Sequence, residues 1–538
     1  MTARRIFTGT SHFPTLRENK TVYVDKTAVI HRMVNADTAF FLSRPRRFGK
    51  SLLVTTLEAY FQGRKELFEG LAMEKLEKEW PVHPVLRFDM SGTSYTKPED
   101  LEERLNLQLL RHEEVYGRNP EEGKQPGSRL NGLIRRAKAA NEGRNVVVLI
   151  DEYDAPLLDT VTDEASFAQM RTMLRSFYSP LKESGEHLRF VFLTGITKFS
   201  QLSIFSELNN LRTITMRDEY AAICGITEEE IRTQLQPEVS ALAEKYGVDF
   251  EAAMAMLKHK YDGYHFTQNC PDIYNPYSLL NCLSDRVLDS YWYASGTPTH
   301  LTEMLSKYTL RPEELEGFHV ADAGIFDAPT ERAESPIPIL YQSGYLTIKG
   351  TRGSRYLLGF PNEEVRMGFL TGLMPFYSGK SGESNATFLS ELTLALEEHD
   401  IEKAMQLLRS FFSSIPYDAE KQDEAHYKTI FYLIFRLAAA FEVRTEERSA
   451  AGRCDALVET KDAVYVFEFK LNGTAQEALA QIDDRGYLIP YEAGGKRLYK
   501  IGACFDEELK TLKEWLVVTV HQKAFSIMDA AAMKTGST

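Results

Sequence analysis

The sequence predicts a multidomain α/β protein: a parallel sheet wound with helices, a mainly helical segment, a winged-helix-like module, and a C-terminal domain in the order αβββαβ. Three observations carry this. At about 150 residues per domain, 538 residues correspond to roughly three or four domains. Short apolar runs alternate with helix-length patterns from 38 to 216, as parallel strands joined by crossover helices require. After 427 an apolar helix is followed by three β-prone runs, a helix and a further strand.

In chain order, the strands expected in the first part are TAFFLS (38–43), PVLRFDMS (84–91), NVVVLID (145–151), LRFVFLT (188–194) and RTITM (212–216). Helical patterns fall at 52–61, 101–116 and 167–182, and the Gly/Pro-rich stretch 116–132 reads as an exposed loop. This part ends at 217. Residues 218–330 carry helix signals such as TEEEI (227–231) and no convincing strand pattern. Residues 331–376 give a helix end, two β-prone runs around a basic turn, and another helix. The polar, small-residue-rich segment 377–387 is expected to be a linker, leaving 388–538 as the last domain.

Composition removes several function classes. Lys and Arg total 63 against 77 Asp and Glu, a net charge of −14, so no global positive field draws the chain to nucleic acid or membrane, and any nucleic-acid contact must be local. Cys224, Cys270, Cys282, Cys454 and Cys504 form no CxxC pair and lie near no His cluster, which argues against disulfides and zinc. The N-terminus lacks the apolar stretch of a signal peptide, and runs such as VVVLI (146–150) are too short to span a bilayer. A cytoplasmic protein with no membrane partner is expected.

Two places concentrate chemistry. RPRRFGKSLL (44–53) follows an expected strand and opens a helix; Gly49, Lys50 and Ser51 supply bare backbone N–H groups, a mobile ammonium and a hydroxyl ligand for Mg²⁺. Arg47, Phe48 and Leu52 complete the candidate loop, while Arg44 stands where G-x-x-x-x-G-K-S has its first glycine. VVVLIDEYDAP (146–156) ends an apolar strand in acids: Asp151 to hold Mg²⁺ through water, Glu152 to orient the water that attacks a γ-phosphate. Thr194, Thr197 and Lys198 fall beside the same sheet edge, where Thr194 could sense that phosphate.

In the C-terminal domain, Asp455 on one strand and Glu468 with Lys470 on the next form a D…E-x-K pattern. Two residues apart on a strand, Glu468 and Lys470 share one face and leave Phe467 and Phe469 on the other. Asp455 and Glu468 suit Mg²⁺ or Mn²⁺, Lys470 would position water or stabilise phosphorane charge, and Glu442, expected to end the preceding helix, could complete the metal shell. An exposed E-x-K on a strand is otherwise an ordinary solvated pair. Arg444, Arg448, Arg453, Lys461, Lys496, Arg497 and Lys500 surround this motif, and Lys349, Arg352 and Arg355 fall on the expected wing, all as candidate phosphate contacts.

YVDKT (23–27), FLSRPRRFGKSLL (41–53), LIDEYDAP (149–156), LTGITKFS (193–200), IFSELNNL (204–211), YDGYHF (261–266), YNPYSLL (274–280), YQSGYLTI (341–348) and GFPNEEVR (359–366) closely resemble the bacterial family that joins an AAA-ATPase-like domain to a C-terminal PD-(D/E)XK nuclease domain. The resemblance covers most of the chain, and it includes Arg44. It implies a STAND-like P-loop NTPase with a helical lid and a winged helix, followed by a restriction-endonuclease-like domain. It also implies ATP and Mg²⁺ as cofactors, Tyr23 and Asp25 near the adenine, and Gln481 and Tyr487 flanking the nuclease centre against the DNA backbone. The expected function is an ATP-hydrolysing protein whose metal-dependent nuclease cuts nucleic acid, DNA in the first place, under nucleotide control; a homo-oligomer is compatible with it. The rival expectation is a nucleotide-dependent switch or assembly scaffold that binds nucleic acid or protein without cutting.

Overall fold

The structure, a computed structural model, describes residues 4–161, 163–197, 211–294, 312, 315, 319–327, 335–415, 424–438, 442–445, 448–449, 452–471, 473–492, 494–506 and 511–520. The chain divides into two compact units, 1–310 with 314–368, and 311–313 with 369–538.

Five strands form the sheet of the first unit: β1 (Ala39–Ser43), β2 (Val85–Asp89), β3 (Val146–Asp151), β4 (Leu188–Gly195) and β5 (Arg212–Thr213), in the spatial order β2-β3-β4-β1-β5 with every pair parallel. All six residues of β3 are buried, as an unbroken Val/Ile/Leu run flanked by strands and covered on both faces should be. Register brings Asp89 beside Asp151 and Leu42 beside Thr194, so the strand ends named above share one carboxyl edge. Helices Lys50–Phe61, Pro98–Tyr116, Pro126–Ala140 and Glu164–Tyr178 accompany the sheet. The stretch 116–132, expected as a loop, is already helical from Pro126, because proline at the first turn surrenders no intrahelical bond.

The next segment is helical: Glu228–Gln234, Gln236–Tyr246, Phe250–Tyr261 and Pro276–Asp285. Thr227 and Glu230 form a capping box at the first helix, the physical content of the TEEEI signal. Where no strand was expected, β6 (Ile226–Thr227) pairs antiparallel with β7 (Ile273–Tyr274). Two residues each are too short for periodicity to register. Val22 joins the core of this helical segment, tying the N-terminal strap to it. β8 (His319–Ala321), helix Ile337–Gln342, β9 (Thr347–Arg352), β10 (Arg355–Gly359) and helix Glu363–Ser378 follow, with the three strands in the order β8-β10-β9. Lys349, expected on an exposed wing, is tied down: its ammonium donates to the carbonyls of Gly263 (3.0 Å) and Pro361 (2.8 Å). Arg355 lies 3.3 Å from Asp322.

The expected linker 377–387 is mostly helix. One helix runs to Ser378 and the next, Gly382–Glu397, starts at a Ser381 cap, because small polar residues cap helices as readily as they form linkers. Helices Ile401–Ser413 and Glu424–Leu437 precede β11 (Glu442–Thr445), a short hairpin of β12 (Arg448–Ser449) and β13 (Gly452–Arg453), β14 (Ala456–Glu459), β15 (Ala463–Leu471), helix Ala475–Arg485, β16 (Arg497–Asp506) and β17 (Thr511–Val520). The main sheet runs β11-β14-β15-β16-β17; β15 and β16 are parallel across their crossover helix and the other pairs are antiparallel. β17 is an additional strand beyond the expected last one. Among the described residues no helix is long and apolar enough to cross a membrane.

Candidate nucleotide and metal sites

β1 ends at Ser43, and residues 44–49 turn the chain into helix Lys50–Phe61. Gly49 caps that helix in the left-handed region (φ 90°), a conformation glycine adopts without steric cost, and Arg47 is also left-handed (φ 64°). The Lys50 ammonium is buried and donates to the carbonyls of Arg44 and Pro45, 3.0 Å each, at the start of its own loop.

Asp151 closes β3, buried, and its Oδ1 has no hydrogen-bond partner among the described residues. Burial pushes its carboxyl up to about 6; the Ser51 side chain and the Lys50 charge oppose this, whereas Glu152 and Asp89 add to it. A buried carboxylate oxygen without a donor, beside a hydroxyl and an ammonium, is a donor set that fits Mg²⁺ and a triphosphate. Glu152, next along, is left-handed (φ 49°), so the chain reverses sharply at the sheet edge. Thr194 is fully buried at the end of β4, between β3 and β1, and its hydroxyl too has no hydrogen-bond partner among the described residues. Lys198 lies outside the described residues.

A largely apolar cavity of ≈ 370 Å³ opens beside the loop, with Arg47, Phe48, Gly49 and Leu52 on one wall and Tyr23 and Tyr277 among the others. Its size and apolar walls suit a nucleoside base. Asp25, expected there, does not reach it. One carboxylate oxygen accepts from the Thr27 amide (2.8 Å) and hydroxyl (2.6 Å), and the other from the Ala72 amide (2.7 Å), so Asp25 is consumed in fastening two helix starts.

In the second unit, alternation along β15 separates two faces. Phe469 stacks on Phe431 (3.9 Å between ring centroids) and Phe467 packs on Phe435 (4.7 Å), while Glu468 and Lys470 project the other way. Gln481, from helix Ala475–Arg485, donates to Glu468 Oε1 and accepts from the Lys470 ammonium, which lies 3.7 Å from the same Glu468 oxygen. Asp455 immediately precedes β14, and its Oδ2 accepts from the Phe469 amide at 2.8 Å. Burial, and next the Asp455 charge, push the Glu468 carboxyl up to about 7 against the pull of Lys470. Glu468 Oε2 is buried with no hydrogen-bond partner among the described residues. Two carboxylates at this spot fit a hard divalent cation, with water and phosphate oxygens to complete its shell. Tyr487 is buried and hydrogen-bonds the Gln481 side chain.

Glu442 does not belong to this cluster. It starts β11 instead of ending a helix, and it pairs with Glu459, whereas Thr445 pairs with Ala456. The register therefore sets it about 13 Å along the sheet from Asp455. Among the described residues no three His, Cys, Asp or Glu side chains gather as a metal-ligand group. Of the basic residues expected to meet phosphates, Lys496 pairs with Glu459 (2.7 Å), Arg497 with Asp462 (3.8 Å) and Lys500 with Asp483. The side chains of Arg444, Arg448 and Arg453 lie outside the described residues.

Residues 7–205 match the family model described as a predicted AAA-ATPase, and residues 422–515 match that of the PD-(D/E)XK nuclease superfamily. Over 533 residues the chain is 34% identical to a protein of Azotobacter chroococcum mcd 1 described as an uncharacterized protein in vnfD 5'region, covering 96% of this chain and 99% of that one. The chain belongs to the AAA-ATPase-like/PD-(D/E)XK nuclease fusion family.

In this fusion protein Asp154, Lys26 and Glu230 make contacts that the motifs did not assign. Asp154 is buried, and its Oδ2 accepts from the amides of Ile196 (2.9 Å) and Thr197 (2.7 Å) and from the Thr197 hydroxyl (2.8 Å), pinning the turn after β3 to the turn after β4. The last acid of DEYD was its signal. The half-buried Lys26–Glu230 ion pair (2.6 Å), whose lysine lines the cavity, had none, because its partners are 204 residues apart.

Proposed function

We propose that the fusion protein binds ATP with Mg²⁺ at 44–52, hydrolyses it, and uses its C-terminal domain to cleave nucleic-acid phosphodiesters, DNA in the first place, in the cytoplasm and under control of the nucleotide. The single observation that carries the nuclease reading is the convergence of Asp455 just before β14, Glu468 and Lys470 on β15, and Gln481 on a helix onto one spot whose buried Glu468 oxygen has no partner among the described residues. In the ATPase, Lys50 and Ser51 hold the phosphates, Asp151 holds the cation, and Glu152 orients water toward the γ-phosphate. Tyr23 and Leu52 pack the base, and Thr194 contacts the terminal phosphate. Helices 228–285 serve as the lid, and 337–378 as a winged helix.

At the nuclease site a bound divalent cation supplies Lewis-acid stabilisation of the phosphorane and a more acidic water. Asp455 and Glu468 hold it, Lys470 places the attacking water, and Gln481 keeps Lys470 and Glu468 in register. Cleavage by the full chain of plasmid and single-stranded DNA with Mg²⁺ or Mn²⁺, with and without ATP, tests this against Lys50→Ala and Glu468→Ala. The expected result is cleavage that Glu468→Ala abolishes and that responds to ATP in the parent but not in Lys50→Ala. DNA binding without cleavage by the parent would overturn the nuclease reading in favour of a switch.

A further inference from the structure

Residues 44–48 run from the place of the first glycine of a phosphate loop up to Gly49, and each of the five is held from later in the first unit. Arg44 is 1% exposed and donates to the carbonyls of Ser43 and Thr215 (2.9 Å) and of Tyr220 and Ala221 (3.3 Å), with its guanidinium 4.0 Å over the Phe266 ring. Pro45 lies so close to Gly344 (φ 87°) that a Cβ there would sit 2.5 Å from the proline Cβ. The Arg46 carbonyl accepts from Trp292 Nε1 (3.4 Å), and the Arg47 guanidinium lies 3.9 Å over Tyr277. Phe48 is fully buried against Tyr264 (4.7 Å) and Phe266 (5.3 Å), and its carbonyl accepts from the Gly225 amide (3.2 Å). Lys50 is part of the same frame, since its ammonium rests on the Arg44 and Pro45 carbonyls.

Arg44 is the exceptional member. It has no carboxylate partner among the described residues, and its buried Nε has no hydrogen-bond partner. Burial lowers its pKa to about 10, so it remains a cation at neutral pH. A desolvated cation met only by carbonyl dipoles and a ring is expensive for the fold, and an apolar side chain of similar length would cost less. The planar fork nevertheless does what an apolar chain cannot: it locks the first residue of the loop to two distant backbone segments.

We infer that Arg44 is a positioning residue for Lys50, fixing the carbonyls that carry its ammonium and making the shape of the phosphate loop one equilibrium with the placement of Thr215, Tyr220, Ala221 and Phe266. This rests on reading 44–52 as the nucleotide site. Loop conformation is thus supplied by the loop's own side chains anchored to segments outside it, and glycine is retained only at 49.

The test is ATP affinity by calorimetry, with the nucleotide-free unfolding temperature, for full-length Arg44→Met, Arg44→Lys and Lys50→Ala. Arg44→Met should bind ATP at least tenfold more weakly than the parent while unfolding at no lower temperature, and Arg44→Lys should recover part of the affinity. Parent-like ATP affinity in Arg44→Met with a lowered unfolding temperature overturns the inference, since Arg44 would then only pack. If Arg44→Met does not fold, Phe266→Leu decides: a loss of threefold or more supports the inference, and unchanged affinity overturns it. Parent-like binding by Lys50→Ala would instead refute the nucleotide site itself.

Discussion

Glu468 offers a quantitative test, because its carboxylate is buried beside Asp455 before any cation arrives. Its pKa rises from 4.5 to about 7, and the residue is only 3% exposed. Between these values the folded protein holds a proton that the unfolded chain has released. The stabilisation is therefore complete below pH 4.5 and is lost as pH rises through 7. At about 1.36 kcal/mol per unit, the cation-free domain forfeits about 3 kcal/mol by pH 8. Glu468→Gln removes the titration. Its amide oxygen still accepts from Gln481, and its N–H faces the unpartnered position of Oε2 at a cost that is the same at every pH. The useful quantity is thus the change, between pH 5 and pH 8, in the stability difference between variant and parent. With chelator present it should move by about 2–3 kcal/mol in the variant's favour, since part of the loss has already occurred by pH 5. Urea unfolding read through Trp515 on β17 measures it, with Trp80 and Trp292, the other two of the chain's three tryptophans, replaced by Phe. Mg²⁺ or Mn²⁺ at pH 8 should stabilise the parent more than the variant. A difference that is the same at both pH values would refute the claim that Glu468 is desolvated next to Asp455, and with it the electrostatic case for a cation there.

Gly195→Ala would place a Cβ 2.4 Å from Asp154 Oδ1 and 2.7 Å from the Tyr153 ring, so the turn carrying Glu152 must shift. Single-turnover assays should show hydrolysis slowed more than tenfold, with ATP affinity changed less than threefold. Glu442→Ala should leave metal-dependent cleavage within twofold of the parent, because register holds that residue away from Asp455; loss of cleavage would restore it to the metal shell. Phe431→Ala removes the ring stacked on Phe469 and should destabilise the C-terminal unit by about 3–5 kcal/mol. The Trp515 transition should move to lower urea while ATP binding by calorimetry is retained.

The candidate sites were legible where their chemistry is written in adjacent residues. Gly49-Lys50-Ser51 after an apolar run, Asp151 at the end of a Val/Ile/Leu run, and Glu468 two residues from Lys470 each need only strand period and local spacing, and each lies where the period put it. Misplacements occurred where a residue's partner is remote. Asp25 is an acid in a motif near the cavity, but its three donors come from Thr27 and Ala72. Lys349 occupies a basic hairpin, yet its length lets it reach carbonyls at 263 and 361. Glu442 follows an apolar helix closely enough to read as its end, until pairing with Glu459 makes it a strand start.

Period, run length and the types of residue at strand ends established that the chain carries two α/β units, that one has a Gly-Lys-Ser turn and acids at a shared edge, and that the other presents an acid and a lysine on one strand face. These are short-range properties, fixed by backbone geometry within a few residues. Only tertiary contact decided that Arg44 could replace glycine, because carbonyls 171 to 177 residues away hold its guanidinium. The same is true of Gln481, whose two bonds join residues on a neighbouring strand, and of Asp154, whose donors lie 42 and 43 residues on. Hydrogen bonds and desolvation act over a few ångströms, and which distant residues come within that range is settled by how the elements pack.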